Sequence, residues 1–425
     1  MTRSRSCTRP IIQTGIDFGT SNSAVGVSTS GAISLVPLEL GETSIPTALF
    51  FNAEDHRTHF GREAIAEYTD GVHGRLMRSI KSILGSTLVD DTTVVAGHSL
   101  TYENIISVFL KHLREVAQTH VSAELSELVL GRPVHFVDDD PARDARAQAT
   151  LENAARGAGF RDVLFQFEPI AAAFDYERTL ESDETVLVID IGGGTSDFTV
   201  IQLGPSRRSA IDRRTDILST SGIHIGGTDF DRRLSLVTAM RSLGMGSKGN
   251  AGRPIPSSIY FDLATWHRIN LLYSRKEMHL AEQLRLVYQD SRHHDRLMTV
   301  LHRRLGHRLA ADVERSKIAV AGGGRHVLEL AYIERGLQCA VTEKALVRSI
   351  ADDVDRVLKT ADAAVGAALG KRSPDTLYFT GGSTAVRSLR DSFQARFPDS
   401  RIVAGDMFGS VARGLAVFAG RAFPA

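Results

Sequence analysis

Two stretches of the chain share one pattern, an apolar and largely β-branched run that ends in aspartate, a glycine-rich bend, and a second apolar run. The first stretch spans residues 11–27 and bends after Asp17; the second spans residues 186–201 and bends after Asp190. Apolar runs bounded by glycine predict strands, and two strands joined by such a bend predict a hairpin whose backbone can approach a ligand closely. The matching aspartates predict duplication of a whole domain.

Two further glycine pairs, in residues 225–229 and 377–384, follow apolar residues and precede a hydroxyl residue and a predicted helix. Exposed amide groups at such a turn, together with the helix N-terminus, favour an anion. Each cluster alone is explained as a tight turn, whereas four clusters together predict an anion-binding site. No GxxxxGK[ST] loop is present, and no cluster is followed directly by a helix with an acidic residue about 20 positions further on, so a dinucleotide fold is disfavoured.

Helical and strand periodicities alternate over the rest of the chain, which favours an α/β architecture. The predicted helices are 102–118, with Ile105, Phe109, Leu113 and Val116 on one face, 142–156 after the capping pair Asp140-Pro141, 170–177 after Glu168-Pro169, and a long helix from Thr342-Glu343 through Val365. The predicted strands include 127–130, 163–167 and 327–330.

Residues 242–258 are rich in Gly, Ser and Pro and predict a surface loop. Amphipathic helices are predicted over 262–283 and 297–319. Four histidines in or near the second of these helices invite a metal interpretation, but no carboxylate pair completes a site, and surface positions are expected instead. These residues are His293, His294, His302 and His307.

Composition narrows the class of protein. The chain has 425 residues, 42% of them hydrophobic, which corresponds to roughly two or three domains. Fifty basic and fifty acidic residues give zero formal charge, so we expect no nucleic-acid partner and no membrane partner. Cys7 and Cys339 are too far apart for a disulfide framework, and no apolar segment follows the arginine-rich N-terminus. A cytoplasmic protein is therefore expected.

The motifs GIDFGTSNS and IDIGGGTSD, with TGGST further on, resemble the nucleotide-binding domain of the DnaK-type, seventy-kilodalton heat-shock chaperones, within the actin and sugar-kinase ATPase superfamily. The resemblance runs from Gly15 to about Ala419. Within the family, the chain looks like the short YegD-type putative chaperones. It implies an α/β, actin-like ATPase fold with two duplicated lobes of ribonuclease H-like mixed sheets flanked by helices, each with an inserted subdomain. The lobes would be residues 1–183 with 400–425 (insert about 45–118) and residues 184–399 (insert about 228–335).

The resemblance also implies ATP or ADP with Mg²⁺, hydrolysed by water. Residues 78–85 resemble the segment of the catalytic lysine, and residues 165–173 resemble the family's NEPTAAA run. The implied catalytic residues are Lys81, Glu168, Asp190 and Thr195, and the implied metal residues are Asp17 and Asp190. The implied nucleotide-binding residues are Gly19, Thr20, Ser21, Asn22, Gly192, Gly193, Gly194, Gly226, Gly227, Thr228, Glu314, Lys317, Gly381, Gly382, Ser383 and Asp406.

Some positions depart from the family pattern. Ile318, Ala321 and Ala385 stand where the family has arginine or serine on the adenosine side, so adenine binding is expected to be weaker. No linker or peptide-binding β-sandwich follows the closing helix before Ala425, so the resemblance implies the nucleotide-binding domain alone. The enlarged second insert is the expected surface for a protein partner.

The expected function is slow ATP hydrolysis that signals to a partner. A sugar or acetate kinase on the same fold is the enzymatic alternative, and a nucleotide-dependent filament or scaffold is the structural alternative. The pairing of Lys81 with Glu168 favours hydrolysis, because an acceptor kinase would add a catalytic aspartate in an acceptor-binding region. Each residue alone also has an ordinary structural explanation, such as a solvated lysine or an acid at a helix N-terminus.

Overall fold

Two five-stranded sheet paths with the same strand directions organise the chain. The computed structural model describes residues 12–84, 92–95, 98–137, 140–250, 252–406 and 409–423, so Cys7 lies outside the described residues. The strands are β1 (Ile12–Phe18), β2 (Asn22–Thr29), β3 (Ala32–Leu35), β4 (Ser44–Pro46), β5 (Ala48–Asn52), β6 (Thr58–Phe60), β7 (Gly74–Arg78), β8 (Thr92–Val95), β9 (His98–Thr101), β10 (Glu127–Arg132), β11 (Asp162–Phe167), β12 (Glu184–Ile191), β13 (Ser196–Leu203), β14 (Ile217–Ile223), β15 (Arg325–Glu329), β16 (Gln338–Thr342), β17 (Thr376–Thr380) and β18 (Arg401–Ala404).

Helices cover the sheets and fill the segments between the strands. The α-helices are α1 (Gly61–Thr69), α2 (Tyr102–Val121), α3 (Pro141–Gly157), α4 (Glu168–Glu177), α5 (Gly227–Val237), α6 (Ala239–Ser242), α7 (Ser258–Leu263), α8 (Arg275–Gln283), α9 (Ser291–His302), α10 (Gly306–Val320), α11 (Glu343–Leu369), α12 (Arg387–Arg396) and α13 (Ser410–Ala422). Short 3₁₀ helices span Ile80–Ile83, Arg214–Asp216, Trp266–Tyr273, Leu284–Leu286 and Gly382–Ala385.

The two sheets repeat one topology. The first has the order β11-β10-β1-β2-β3, with β4 paired to β2, and the second has the order β14-β13-β12-β17-β18. Each sheet contains an antiparallel hairpin, β1 with β2 in the first and β12 with β13 in the second. Two further strands extend each sheet in parallel from the first strand of its hairpin: β10 and β11 from β1, and β17 and β18 from β12. Both predicted hairpins are confirmed, and the repeated order of strands supports the predicted duplication. We call the halves built on the two sheets lobe I and lobe II.

Helix α13 packs on lobe I because two glycines allow an unusually close approach. A Cβ on Gly15 of β1 would lie 2.4 Å from the backbone nitrogen of Ala416, and one on Gly414 would lie 1.8 Å from the carbonyl oxygen of Ala171 in α4. Gly15 and its neighbours are fully covered, and residues of α13 and α4 share one buried cluster. This packing fixes α4, whose first residue is Glu168, against α13, and α13 in turn lies on β1, the central strand of the first sheet.

The four helices predicted from 102 to 365 are confirmed, with ends that differ by a few residues. Asp140 is confirmed as a cap, because its side chain accepts a hydrogen bond from the backbone amide of Arg143. Thr101 and Thr342 cap two of the other helices in the same way, by accepting from the amides of Asn104 and Ala345. The predicted strands 127–130, 163–167 and 327–330 correspond to β10, β11 and β15.

The two helices predicted over 262–283 and 297–319 are wrong as continuous elements. The first is divided into α7, the 3₁₀ helix Trp266–Tyr273 and α8, which begins anew with Ser274 as its cap. The second is divided between α9 and α10 because Arg304 adopts a left-handed conformation with φ 51°. The backbone amide of Gly306 donates to the Tyr273 hydroxyl (3.1 Å), so tertiary contacts outweigh the local helical pattern.

Two related predictions also need correction. His294 and His307 are buried rather than on the surface, at 3% and 4% exposure. The ring of His294 bonds the carbonyl oxygen of Ala281 (3.0 Å). The predicted loop 242–258 is irregular, but it is anchored in the core of lobe II by the buried Leu243 and Ile255.

Candidate functional site

The bends of the two hairpins meet in the cleft between the lobes. The backbone of Gly193, in the second bend, passes so close to Ser21, in the first, that a Cβ at Gly193 would lie 1.8 Å from the Ser21 hydroxyl oxygen. Asp17 and Asp190 occupy matching positions near the ends of β1 and β12. The repeated hairpins therefore bring two carboxylates from different lobes to one place.

Thr47 holds the first bend in shape, and no motif in the sequence marks it. Its hydroxyl donates to the carbonyl oxygen of Gly19 (2.7 Å) and contacts the Ser23 hydroxyl (2.8 Å), while its amide donates to the carbonyl oxygen of Ser21 (2.9 Å). Thr47 is fully buried beside β4. Because these bonds fix the segment Gly19-Thr20-Ser21-Asn22, the bend can present a defined set of polar groups.

The other two glycine clusters converge on the second bend, Gly192-Gly193-Gly194. The carbonyl oxygen of Gly192 accepts from the amide of Gly227 (2.9 Å) and from the hydroxyl of Ser383 (2.8 Å). The carbonyl oxygen of Gly193 accepts from both the amide (2.7 Å) and the hydroxyl (2.8 Å) of Thr228. The structure thus brings together three clusters that lie far apart in the sequence.

Glycine at 226 and 381 is required by this convergence. A Cβ on Gly226 would lie 2.7 Å from the backbone of Gly193, and one on Gly381 would lie 2.4 Å from the carboxylate oxygen Oδ1 of Asp190. Gly381 also has a positive φ of 82°. Gly382 and Ser383 follow in the 3₁₀ helix that begins at Gly382.

Lys81 and Glu168 form an ion pair in the cleft. The Lys81 ammonium lies 2.5 Å from Oε1 of Glu168, and the two side chains are only 9% and 13% exposed. Lys81 lies in the short 3₁₀ helix Ile80–Ile83, which follows Ser79 in a left-handed conformation. Glu168 is the first residue of α4, where the helix dipole favours a negative charge.

The cleft carries more negative than positive charge. Burial and repulsion from Glu168 raise the pKa of Asp17 to about 7, against the opposing effect of Lys81. Burial, then repulsion from Asp197, Glu168 and Asp17, raises the pKa of Asp190 to about 8. Two carboxyls with such pKa values bind protons that a cation could replace.

Lys81 remains a cation in this environment. Burial alone would lower the pKa of the Lys81 ammonium, but the nearby charges of Glu168, Asp17 and Asp190 raise it above its ordinary value. One lysine therefore faces three carboxylates from both lobes. The set of donors fits a divalent cation that keeps several of its waters and is held by one or two carboxylates together with phosphate oxygens.

No closed metal cage exists within the part of the chain that the structure describes. No group of three or more His, Cys, Asp or Glu residues there is arranged to hold a metal ion. A site with so few protein ligands suits Mg²⁺ only when a second ligand, such as a polyphosphate, completes its coordination. The acidic cleft and the convergent bends thus fit the combination of metal and phosphate better than metal alone.

A second charged group lies beside this site on α10. The Lys317 ammonium donates to the carbonyl oxygen of Gly227 (3.1 Å) and pairs with Asp231 (2.9 Å). Burial raises the pKa of Asp231 to about 6, although the positive charge of Lys317 opposes this shift. Asp231 was not found from the sequence, because only its contact with Lys317 distinguishes it from other helical acids.

The remaining predicted residues differ in how closely the structure joins them to the cleft. The Thr195 hydroxyl donates to the carboxylate of Asp197 (3.0 Å), next to the second bend. Glu314 lies one turn before Lys317 on α10. Asp406 is exposed between β18 and α13, and its role stays a prediction.

More than half of the sequence matches a known protein family. A family model described as Hsp70 protein matches residues 13–241, which is more than half of the 425-residue chain. The chain belongs to the Hsp70 family. The actin-like ATPase fold expected from the sequence is therefore confirmed, and membership in the Hsp70 family implies an ATP-binding, ATPase and chaperone-type function. The match includes both hairpins, Lys81 and Glu168.

One further finding concerns membranes. Over the residues that the structure describes, no helix combines the length and the apolar character needed to cross a bilayer.

Proposed function

We propose that this Hsp70-family protein binds Mg²⁺ with ATP in the cleft and hydrolyses ATP slowly with water as the nucleophile. The observation that supports this most strongly is the Lys81–Glu168 ion pair, at 2.5 Å, beside two carboxyls of raised pKa. Phosphoryl transfer to water needs positioned charge and an oriented nucleophile rather than covalent help from the protein.

The two bends are proposed to hold the phosphates. Gly19, Thr20, Ser21 and Asn22 would contact them from lobe I, and the second bend would do so from lobe II. The carbonyl oxygens of Gly192 and Gly193 accept hydrogen bonds from the protein, and the amide of Gly192 donates to the carbonyl oxygen of Thr195 (3.0 Å). We therefore expect the amides of Gly193 and Gly194 to face the ligand. The Thr195 hydroxyl would lie at the terminal phosphate.

Asp17 and Asp190 would hold the metal ion, which when bound would neutralise part of the phosphate charge. Glu168 would orient the attacking water and accept its proton. Lys81 pairs with Glu168 and would offset negative charge that grows on the transferred group. On the adenosine side we propose Glu314, Lys317, Gly226, Gly227, Thr228, Gly381, Gly382, Ser383 and Asp406.

The lobe boundaries, the protein partner and the cellular location are also proposals. We propose the lobe boundaries given by the resemblance, with lobe II residues 184–399 carrying an enlarged insert at about 228–335 that binds a protein partner. We further propose that the protein acts in the cytoplasm on nucleotide and protein ligands, without nucleic acid or membrane.

The test is release of phosphate from ATP by the wild type, Lys81→Ala and Glu168→Ala, with Lys111→Ala as a control on the exposed face of α2. We expect a loss of about 100-fold or more in the two cleft variants and none in the control. Activity that is unchanged in both cleft variants would refute their assignment. Light scattering with nucleotide would reveal a filament, and turnover only with an added sugar would reveal a kinase.

A further inference from the structure

Side chains from the two lobes interlock at the outer edge of the cleft. Tyr68 and Arg78 come from the segment between β4 and β10 of lobe I, which we call the first insert. Trp266, Asn270 and His307 come from the segment between β14 and β17 of lobe II, which we call the second insert. Contacts between these two inserts close this edge of the cleft.

Arg78 makes the most specific of these contacts. Its guanidinium carbon lies 4.7 Å from the centre of the Trp266 ring, the geometry of a cation–π interaction. The same guanidinium lies 3.8 Å from a carboxylate oxygen of Glu314 on α10. The Arg78 side chain is 15% exposed, so the contact is largely shielded from water.

Tyr68 and His307 extend the contact away from the cleft. The Tyr68 hydroxyl donates to Oδ1 of Asn270 (2.9 Å) and lies 3.2 Å from Nδ1 of His307. The His307 ring packs edge-on against both Tyr68 and Trp266, with ring centres 4.8 Å apart in each case. Its other nitrogen, Nε2, bonds the carbonyl oxygen of Trp266 (3.2 Å), which fixes the platform on which Arg78 lies.

The chain connects this edge directly to the catalytic lysine candidate. Arg78 is the last residue of β7, and Ser79 then adopts a left-handed conformation with φ 59° before the 3₁₀ helix Ile80–Ile83. Lys81 lies in that helix, in contact with Glu168. Only two residues separate Arg78 from Lys81, so a displacement of Arg78 is expected to displace Lys81 as well.

We propose that Arg78 is a positioning residue that makes the placement of Lys81 depend on closure of the cleft's outer edge. This inference rests on the proposed function, because it concerns the same hydrolytic site. When the inserts are in contact, Trp266 and Glu314 of lobe II hold Arg78, and Lys81 is held near Glu168. When the inserts separate, Arg78 loses both partners, and the lysine segment loses its anchor on lobe II.

Arginine is required for this role by its shape as well as its charge. Its planar group can lie flat on an indole and pair with a carboxylate at the same time, whereas the point charge of a lysine ammonium cannot stack on the ring while it pairs with Glu314. Arg78→Lys should therefore keep part of the pairing with Glu314 and lose most of the stacking. Intermediate behaviour of this variant would separate a specific contact from a general loss of folding.

Trp266 supplies a direct optical readout because it is the only tryptophan in the chain. We expect the emission of Trp266 in Arg78→Ala to differ from that of the wild type in intensity and wavelength, since the guanidinium and its shielding are gone. A spectrum identical to that of the wild type would refute the contact. Arg75→Ala, on the exposed part of the same strand, is the matched control and should leave the spectrum unchanged.

Single-turnover hydrolysis at saturating ATP with Mg²⁺ tests the coupling to Lys81. We expect Arg78→Ala to reduce the hydrolytic rate about tenfold, Arg78→Lys to lie between it and the wild type, and Arg75→Ala to match the wild type. A variant with normal single-turnover hydrolysis and altered ATP affinity alone would refute the positioning role. Thermal unfolding close to that of the wild type in Arg78→Lys shows that its rate reports on positioning.

The two proposals fail in distinguishable ways. A wild type that releases no phosphate would refute the proposed function and this inference with it. An active wild type whose Arg78→Ala variant hydrolyses ATP at the normal rate would refute only the inference.

Discussion

Replacing Asp190 by asparagine should make the ligand-free protein less sensitive to alkaline pH. Burial and the negative charges of Asp197, Glu168 and Asp17 raise the pKa of Asp190 from 3.8 to about 8. Asparagine has nearly the same size but carries no charge, so Asp190→Asn removes the titration while preserving the packing. The perturbation therefore isolates the electrostatic cost of this cleft.

The sign and size of the effect follow from the two pKa values. A carboxyl whose pKa is raised in the folded state binds a proton that the unfolded chain has already lost, so the wild type becomes less stable as pH rises through the folded pKa. Between pH 6 and pH 8 this group alone should cost about 2 kcal/mol, which for a chain of this length is a fall of about 2 °C in Tm. The Tm of Asp190→Asn should lack this contribution and therefore fall less between pH 6 and pH 8 than the Tm of the wild type.

Thermal unfolding of the metal-free, nucleotide-free protein at pH 6 and pH 8 measures the difference. The control is Asp391→Asn on α12, where the aspartate is exposed and its removal should leave the pH dependence of the wild type intact. Under the proposed function Mg²⁺ with ADP would replace the bound protons, so it should raise the Tm of the wild type more at pH 8 than at pH 6. An equal loss of Tm in the wild type and Asp190→Asn would refute the reasoning.

Three further substitutions test other parts of the structure. Arg213→Met should lower the free energy of unfolding by about 3–5 kcal/mol, measured by urea denaturation, because it leaves the Glu177 carboxylate buried without its partner; an effect below about 1 kcal/mol would contradict this. Thr47→Val should weaken ADP binding by about tenfold in calorimetry, since the carbonyl oxygen of Gly19 loses its donor. Ala385→Arg should instead strengthen ADP binding by several-fold, because arginine can stack on an adenine ring, and unchanged affinity would argue against adenine lying there.

Local patterns predicted the parts of the molecule that depend on local chemistry. The hairpins could be found because their bends need glycine and because the aspartates recur at matching positions. The helix after Thr101 could be found from apolar periodicity alone, and the helices after Asp140 and Thr342 could be found because the residues at their starts are typical of a helix N-terminus.

Helix boundaries and side-chain burial were predicted wrongly where they depend on contacts between segments that are distant in the sequence. The left-handed Arg304 and the bond from Gly306 to Tyr273 divide what the pattern presents as one helix. The buried His307 resembles a surface histidine in the sequence, because its aromatic partners come from other segments and, in Tyr68, from the other lobe.

The same limit applies to the candidate site. Lys81 and Glu168 were found through a resemblance, since nothing in their own neighbourhoods distinguishes them from an ordinary lysine and a helix N-terminal acid. Thr47 was missed because its hydroxyl acts on a bend that lies more than twenty residues earlier.

The two ends of helix α4 lie in different charge environments. The carboxylate at its C-terminal end is paired with arginine, whereas the carboxylate at its N-terminal end lies in a cleft with an excess of acidic groups. At its far end, Glu177 receives two hydrogen bonds from Arg213 (2.7 and 3.0 Å), and Arg213 also pairs with Asp216, all within a buried network. At its near end, Glu168 lies among carboxylates that a single lysine does not neutralise. Because the far end is fully paired, the imbalance at the near end cannot be relieved by movement of α4 without breaking a buried ion pair. Relief must come from a proton or from a bound cation, which is why the raised pKa values and the expected affinity for metal with nucleotide have one physical cause.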